Sequence, residues 1–248
     1  MQEDVDGFNG RNQLKIGEMA SDRSLADLTQ QWFVASTKHE YSYHFTWLGR
    51  PIIQFPQDII ALQEIIWRVK PDLVIETGIA RGGSLIFNAS MLELIGGEGI
   101  VLGIDIDIRA HNRVEIEKHP LSKRIRMIEG SSIDGEVVKQ IRAYAQGKER
   151  VLVILDSNHT HQHVLKELEL YSPMVTKDSY LVVFDTVIED MPEDAYPDRP
   201  WGKGNNPKTA VWEFLKKNDR FQIDREMETK LLITVAPDGY LKCVGGLP

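Results

Sequence analysis

The stretch DLVIETGIARGGSLIF, Asp72–Phe87, places a short apolar segment directly before a glycine-rich bend and a helical pattern. Glycines after a first strand let the backbone turn tightly and approach a ligand, and the following helix offers the positive end of its dipole. The stretch therefore predicts that a small charged ligand binds at this bend.

Composition limits the kinds of protein that this chain can be. Its 248 residues, 42% of them hydrophobic, are enough to bury one core. The net charge of -8 and the scattered lysines and arginines argue against nucleic acid as the main partner. No apolar run is long enough for a membrane span. With an acidic first segment and a single cysteine, Cys243, we expect a cytoplasmic protein that binds a small molecule.

Short apolar segments alternate with helical patterns along most of the chain. Continuous rather than alternating hydrophobicity is typical of parallel strands that are covered on both faces. The pattern predicts a doubly wound α/β fold with a seven-stranded, mainly parallel sheet. The predicted helices are 84–95, 110–118, 134–146, 160–171 and 208–218, and the predicted strands are 72–76, 99–105, 124–128, 150–156, 179–185, 221–223 and 231–235, with a hairpin turn at Asp238–Gly239.

Residues 1–55 contain several aromatic residues but little strand signal. We expect a helical or irregular extension that packs over the domain of residues 56–248 or over a partner chain. Asp58 is a plausible N-cap for a helix over 57–70. The extension and the loop 186–206 are expected to build the substrate pocket.

The spacing at the bend disfavours a dinucleotide. A dinucleotide fingerprint has G-x-G-x-x-G, but here Ala80 stands where the second glycine would approach the pyrophosphate. No Gly-Lys-Ser/Thr follows, which excludes a P-loop. Glu76, two residues before Gly78, suits a ligand with an ammonium group, such as the amino-acid end of S-adenosylmethionine.

Two further strand ends carry polar residues that suit a nucleoside. Asp105 ends the second predicted strand, where a carboxylate can accept hydrogen bonds from ribose hydroxyls. Ser131 follows the third, where a short polar side chain can meet the adenine edge. Alternatively, Glu76 and Asp105 only cap helices beside a tight turn. Three successive strand ends with suitable chemistry favour the nucleoside.

Asp156 and Asp185 end the fourth and fifth predicted strands. Because the carboxyl ends of parallel strands share one edge, both acids are expected in one crevice. Two carboxylates suit Mg²⁺, which would lower the pKa of a substrate hydroxyl so that it attacks an electrophilic methyl group. The alternative is that Asp156 caps the helix near Thr160 and that Asp185 only opens a loop.

The segment SNHTHQHV, residues 157–164, holds three histidines. A zinc site is a weak interpretation, because no cysteine lies nearby and H-E-x-x-H is absent. His159, nearest to Asp156, is the candidate general base, since imidazole titrates near neutral pH. His161 and His163 are expected to be solvated.

With these residues assembled, the chain resembles the cephalosporin hydroxylase / rhamnosyl O-methyltransferase family, whose members have the class I S-adenosylmethionine-dependent methyltransferase fold. The resemblance runs from about residue 47 to about residue 192. It rests on PDLVIETGIARGGSL, VLGIDIDI, ILDSNHTHQHV and YLVVFDT.

The resemblance implies roles for particular residues. By this similarity Glu76, Gly78 and Ser84 would hold the methionine part of the cofactor and Asp105 the ribose. Ala80 and Ser131 are further candidate cofactor-binding residues beside this motif. Asp156 and Asp185 would be the magnesium ligands. Where some members have an acidic pair at the fifth strand end, this chain has Phe184 before Asp185. Thr186, water or substrate would then complete the metal site.

The expected function is methyl transfer from S-adenosylmethionine to a hydroxyl of a sugar or another secondary metabolite, by a chain that forms a homo-oligomer. Three alternatives stay open at this point. They are a cephalosporin-type hydroxylase or methoxylation component, an NAD-dependent oxidoreductase, and a non-catalytic protein that binds an adenosine nucleoside.

Overall fold

The computed structural model describes residues 2–246, and a seven-stranded sheet organises them. Its strands are β3 (Leu73–Thr77), β4 (Ile100–Asp105), β5 (Ile125–Glu129), β6 (Val151–Leu155), β7 (Tyr180–Val183), β8 (Phe221–Ile223) and β9 (Tyr240–Cys243). The strand order is β5-β4-β3-β6-β7-β9-β8, and β9 is antiparallel to both of its neighbours whereas the other pairs are parallel. This confirms the predicted doubly wound, mainly parallel sheet.

Helices cover both faces of this sheet, so each central strand is buried on both sides. In β3, Val74 packs into one core cluster while Leu73 and Ile75 pack into the other. This is why the central strands have continuous apolar runs. The helices are α1 (Gln2–Ser21), α2 (Arg23–Thr37), α3 (Pro56–Val69), α4 (Gly83–Ile95), α5 (Ala110–Lys118), α6 (Gly135–Ala145), α7 (His161–Tyr171), α8 (Pro207–Leu215) and α9 (Arg225–Leu231).

The end of the chain differs from the sequence prediction. The predicted strand 231–235 is wrong: α9 ends at Leu231, and the last strand is β9. Asp224 caps α9 by accepting a hydrogen bond from the backbone N–H of Met227 at 3.1 Å. The hairpin turn at Asp238–Gly239 is wrong as well, because α9 lies between the paired strands β8 and β9. The turn instead directs the chain into β9.

The sequence suggested that Asp58 caps α3. It does not, because the helix begins at Pro56 after the N-cap residue Phe55. Its side chain is buried and accepts hydrogen bonds from the Thr234 hydroxyl, from the Tyr240 hydroxyl at 2.6 Å and from the Val235 backbone N–H at 3.0 Å. Burial raises the pKa of this carboxyl to about 6. Asp58 therefore fastens α3 to the segment that leads into β9.

The N-terminal segment contains a hairpin that its sequence did not signal. Strands β1 (Phe45–Trp47) and β2 (Arg50–Ile52) pair antiparallel across a two-residue turn at Leu48 and Gly49. Both turn residues have positive φ, 44° and 87°, as tight hairpin turns require. The hairpin packs on α4, where Trp47 meets the ring of Phe87 edge-on at 4.9 Å.

Helix α2 also packs against the domain. The ring of Phe33 stacks on that of Phe55 at 5.0 Å. The side chain of Gln30 donates a hydrogen bond to the backbone oxygen of Asp190 at 2.8 Å. These contacts bring the helical part of the extension to the carboxyl edge of the sheet. Among residues 2–246, no helix has both the length and the apolar character that a membrane crossing requires.

The Asp58 cluster gives a pH-dependent prediction. Because the folded chain holds this proton up to about pH 6, against an ordinary value of 3.8, Asp58 lowers the stability as the pH rises from about 4 to about 6. Tyr240→Phe removes one donor from the buried carboxylate and raises its pKa further. We expect it to lower the free energy of unfolding by about 1–3 kcal/mol at pH 8 and by less at pH 5, as urea titrations at both pH values will measure.

Tyr144→Phe is the matched control, because Tyr144 lies 37% exposed on α6. The control variant should match the wild type at both pH values. An equal loss for Tyr240→Phe at pH 5 and pH 8 would contradict the assigned hydrogen bond to an ionised Asp58.

Candidate active site

A cleft of about 440 Å³ opens at the carboxyl edge of the sheet. Its floor is formed by strand-end residues, among them Ala80, Asp156 and Asp185. The two segments expected to build a pocket both line it. From the N-terminal side come Phe33, Thr37, Glu40, Tyr41, Ser42, Tyr43, Ile53, Gln54 and Phe55, and from the loop after β7 come Val187, Ile188, Tyr196, Arg199 and Trp201.

Gly78 lets the ends of β3 and β6 approach each other. Its φ is +90°, and a Cβ atom at this position would lie 2.0 Å from the backbone oxygen of Asp156. No side chain fits that space, and the backbone conformation itself favours glycine. The absence of a side chain at Gly78, the first glycine of the bend, therefore allows the backbone of Asp156 to lie directly against the bend.

Asp105 holds the bend in shape. One carboxylate oxygen accepts hydrogen bonds from the backbone N–H groups of Ile79 at 2.8 Å and Ala80 at 3.2 Å. Helix α5 is instead preceded by Arg109, so the alternative that Asp105 is a helix cap is wrong. Ala80 is exposed at the cleft in the left-handed conformation, with φ of 46°. Its backbone oxygen accepts from Asn112 at 2.9 Å, a residue that sequence reasoning missed.

Glu76 lies in a second, smaller cavity behind the cleft. Ser84 donates to one oxygen of its carboxylate, and the Asn88 amide donates to the other at 2.7 Å. Glu76 is 2% exposed, and burial raises its pKa to about 7. The predicted pair Glu76 and Ser84 is thus in contact, and Glu76 caps no helix. Asn88, one turn further along α4, was missed because the stretch reads there as ordinary helix.

Ser131 lies just after the carboxyl end of β5, but the side-chain contact at this point is made by its neighbour Ser132. The hydroxyl of Ser132 lies 3.0 Å from Nε2 of His163. The backbone oxygen of Ser131 accepts from Asp134 at 3.0 Å. Ser131 does not line the cleft, so its contact with adenine remains a prediction.

Asp156, His159 and Asp185 come together on the cleft floor. One potential ligand atom from each lies within 4.8 Å of the other two. Nε2 of His159 is 3.1 Å from the carboxylate of Asp185, and the imidazole meets the ring of Trp201 edge-on at 4.9 Å. Asp156 does not cap α7, since the N-cap residue is Thr160. Its carboxylate instead accepts from the amide of Gln54 at 3.2 Å.

The electrostatics of this group favour a cation. Burial raises the pKa of Asp156 well above its ordinary range, and the charges of Asp185, Glu76, Glu167 and Asp58 raise it further. Two carboxylates and an imidazole in one partly buried group form a donor set that a divalent metal ion fits.

The sequence suggested that His161 and His163 are solvated, but both are half-buried and have side-chain partners. Nδ1 of His161 lies 2.8 Å from the hydroxyl of Thr209, and Nε2 lies 3.2 Å from Glu213, so the ring ties α7 to α8. His163 lies 3.6 Å from the buried carboxylate of Glu167. His159 shares no helix face with His163, because α7 begins only at His161.

The two neighbours of Asp185 in the sequence, Phe184 and Thr186, point to different partners than Asp185 does. Phe184 is buried in the core, and Asp185 has a left-handed φ of 56°. The hydroxyl of Thr186 donates to the backbone oxygen of Pro237 at 2.6 Å. The Thr186 hydroxyl is therefore engaged elsewhere, and the third side chain with a potential ligand atom beside Asp156 and Asp185 is that of His159.

The acidic loop 186–206 is anchored rather than simply solvated. Glu189 accepts from the backbone N–H of Gly204 at 2.7 Å and from the amide of Asn206. Asp190 pairs with the buried ammonium group of Lys208 at 2.6 Å. These contacts hold Trp201 over His159, which sequence reasoning did not foresee because the partners are far apart along the chain.

The chain is similar in sequence to known proteins over most of its length. The family model described as Rhamnosyl O-methyltransferase/CmcI matches residues 39–244. The rhamnosyl O-methyltransferase of Mycobacterium tuberculosis is 32% identical over 220 residues, which cover 84% of this chain and 84% of that protein. The rhamnosyl O-methyltransferase of Mycobacterium leprae is 29% identical over 220 residues, covering 88% of this chain and 90% of that protein.

Solved structures share the fold. A structure of cmcI with Mg-SAM superposes with a TM-score of 0.59 at 17% identity, over 82% of this chain and 78% of that chain. At this identity the likeness concerns the fold, and it confirms the predicted class I methyltransferase architecture.

The close approach at Gly78 gives a prediction. Gly78→Ala has to move the end of β3 away from Asp156, in addition to adopting an unfavourable φ. The second cost alone is about 1–2 kcal/mol. We expect the urea-derived free energy of unfolding to fall by clearly more than this.

Gly147→Ala is the matched control. Its φ is +77° and a Cβ atom there would meet nothing within 4 Å. Equal losses for the two variants would show that the conformation matters at Gly78 and that the proximity of Asp156 does not.

Proposed function

The chain belongs to the rhamnosyl O-methyltransferase/CmcI family and is an S-adenosylmethionine-dependent O-methyltransferase, and we propose that its acceptor is a hydroxyl group of a sugar unit. The observation that carries the proposal is the group of Asp156, His159 and Asp185 on the floor of a cleft next to the glycine bend. Methyl transfer is an in-line displacement, so it depends mainly on alignment and an activated nucleophile.

The donor side of the proposal uses the bend and the neighbouring strand ends. Glu76, whose carboxylate accepts a hydrogen bond from Ser84, binds the amino-acid end of S-adenosylmethionine. Gly78 and Ala80 let the backbone of the bend lie against this methyl donor. Asp105 takes the ribose with the carboxylate lone pairs that the backbone N–H groups of Ile79, Ala80 and Asp107 leave free. Ser131 remains the proposed contact to adenine.

The acceptor side uses the cleft floor. Asp156 and Asp185 would hold Mg²⁺, and His159 lies beside them with its imidazole left for the proton. When bound, the metal supplies Lewis acidity that lowers the pKa of the acceptor hydroxyl.

His159 is the proposed base that takes the proton of that hydroxyl. Its ring faces the cleft, and Asp185, 3.1 Å from Nε2, stabilises the positive charge that the ring gains. Trp201 closes the other side of the ring and limits the access of water.

The shape and lining of the cleft support a sugar acceptor. Its walls carry aromatic rings, and its floor carries carboxylates, which together suit a ring with one apolar face and several hydroxyl groups. Both named mycobacterial relatives are rhamnosyl O-methyltransferases. A 6-deoxysugar glycoside is therefore the first acceptor class to test.

Assembly and location are further parts of the proposal. Large apolar side chains are exposed on α1 and α2, among them Phe8, Leu14 and Leu28. These surfaces support a homo-oligomer formed through the extension of residues 1–55. The free thiol of Cys243 is buried, which is compatible with the proposed cytoplasmic location.

The experiment is a radiometric methyl-transfer assay with labelled S-adenosylmethionine and Mg²⁺, using phenyl glycosides of rhamnose, fucose and glucose, and free phenols. We expect label on a deoxysugar hydroxyl. Asp156→Asn should lower kcat/KM by about 100-fold or more and should abolish Mg²⁺ binding in calorimetry, with S-adenosylhomocysteine still bound.

Asp194→Asn, an acid on the loop outside the cleft lining, is the control and should behave as the wild type. Label on phenols alone would overturn the sugar acceptor. Unchanged Mg²⁺ affinity in Asp156→Asn would overturn the metal assignment.

A further inference from the structure

Gln54 connects the cleft with the smaller cavity behind it. It follows β2 and is 5% exposed. Gln54 and Asp156 line both spaces, the cleft and the small cavity that also contains Glu76, Ser84 and Asn88. The side chain therefore lies between the proposed metal group and the proposed donor site.

The orientation of the Gln54 amide follows from its partner. Nε2 donates to the carboxylate of Asp156 at 3.2 Å. When Asp156 is ionised, as a cation bound on the cleft floor would require, its carboxylate only accepts hydrogen bonds, so the amide nitrogen faces Asp156 and the amide oxygen faces away. That oxygen, Oε1, is buried and has no hydrogen-bond partner within residues 2–246.

Asn88 repeats the pattern on the other side of the cavity. Its nitrogen donates to Glu76 at 2.7 Å, and its oxygen is buried without a partner in the part of the chain that the structure describes. The cavity lining includes no lysine, arginine or histidine. Two residues with unpartnered amide oxygens and two acidic residues thus line a space whose lining has no positively charged side chain.

A buried acceptor without a donor is costly, and native proteins usually leave such a group for a ligand or water to satisfy. A donor that suits four acceptor groups is a cationic N–H group. An ammonium has three N–H bonds and a positive charge, so it can be shared among these oxygens.

We propose that Gln54 binds the methyl donor, its amide oxygen accepting a hydrogen bond from the donor's ammonium group while its amide nitrogen holds Asp156 in place. The inference rests on the proposed function, since it concerns the same donor site. It assigns a residue of the N-terminal segment to this site and couples the position of that segment to both the donor and the metal group.

The test is calorimetric binding of two ligands, S-adenosylhomocysteine and its desamino analogue, to the wild type and to Gln54→Met. Methionine keeps the length of the side chain but has no amide. We expect S-adenosylhomocysteine to bind roughly 10- to 100-fold more weakly to Gln54→Met, the range for a hydrogen bond to a charged group. The desamino analogue should bind equally to both proteins.

Gln57→Met is the matched control, because Gln57 also has a buried, unpartnered amide oxygen within the described chain but lines neither cavity. It should bind both ligands as the wild type does. A second variant, Gln54→Glu, keeps an acceptor oxygen and should keep the preference for S-adenosylhomocysteine over the analogue, which tests the inference even where Gln54→Met folds poorly.

The outcomes separate this inference from the proposed function. If the wild type does not bind S-adenosylhomocysteine, the proposed function fails. If the wild type binds it and Gln54→Met binds it equally well, or loses both ligands to the same extent, the role of Gln54 as an ammonium acceptor is overturned and the proposed function stands.

Discussion

The convergence of carboxyl groups at one edge of a parallel sheet is the constraint on which the rest of this structure depends. Asp156 and Asp185 lie in one group on the cleft floor, and Glu76 shares the small cavity with Asp156. Burial, and then the charges of the neighbouring acids, raises the pKa of Asp156 well above its usual range. Negative groups in such surroundings need protons, hydrogen-bond donors or a cation.

Each acid meets this need in a different way. Asp58 has donors from Thr234, Val235 and Tyr240, and it joins two distant parts of the fold. Glu76 has donors from the first turns of α4. Within residues 2–246, the side-chain partners of Asp156 and Asp185 are Gln54 and His159, and both acids line the cleft. Asp58, with three donors, has a structural role, and Glu76, with two, can still accept from the cationic end of the methyl donor. Asp156 and Asp185, with one side-chain partner each, are where a metal ion fits.

Much of this could be predicted from the sequence because the signals are local. Continuous apolar runs indicate buried parallel strands, and strand-end residues such as Glu76, Asp105, Asp156 and Asp185 fall where the topology brings them together. What the sequence could not show depends on contacts between distant segments. Asp58 resembles a helix cap until Tyr240 and Thr234 are folded against it. Gln54, Asn88 and Trp201 carry no local signal, and the hairpin β1–β2 rests on a turn at Leu48, a residue that rarely adopts positive φ.

We infer a nucleoside site beside a group of acids that is suited to a cation. A calorimetric titration of the wild type with S-adenosylhomocysteine tests this most directly. It is run with and without Mg²⁺, and NAD is the comparator. We expect about micromolar binding of S-adenosylhomocysteine, a separate binding signal for one Mg²⁺ ion, and no binding of NAD. Binding of NAD without binding of S-adenosylhomocysteine would contradict both the assignment of the glycine bend and the account built on it.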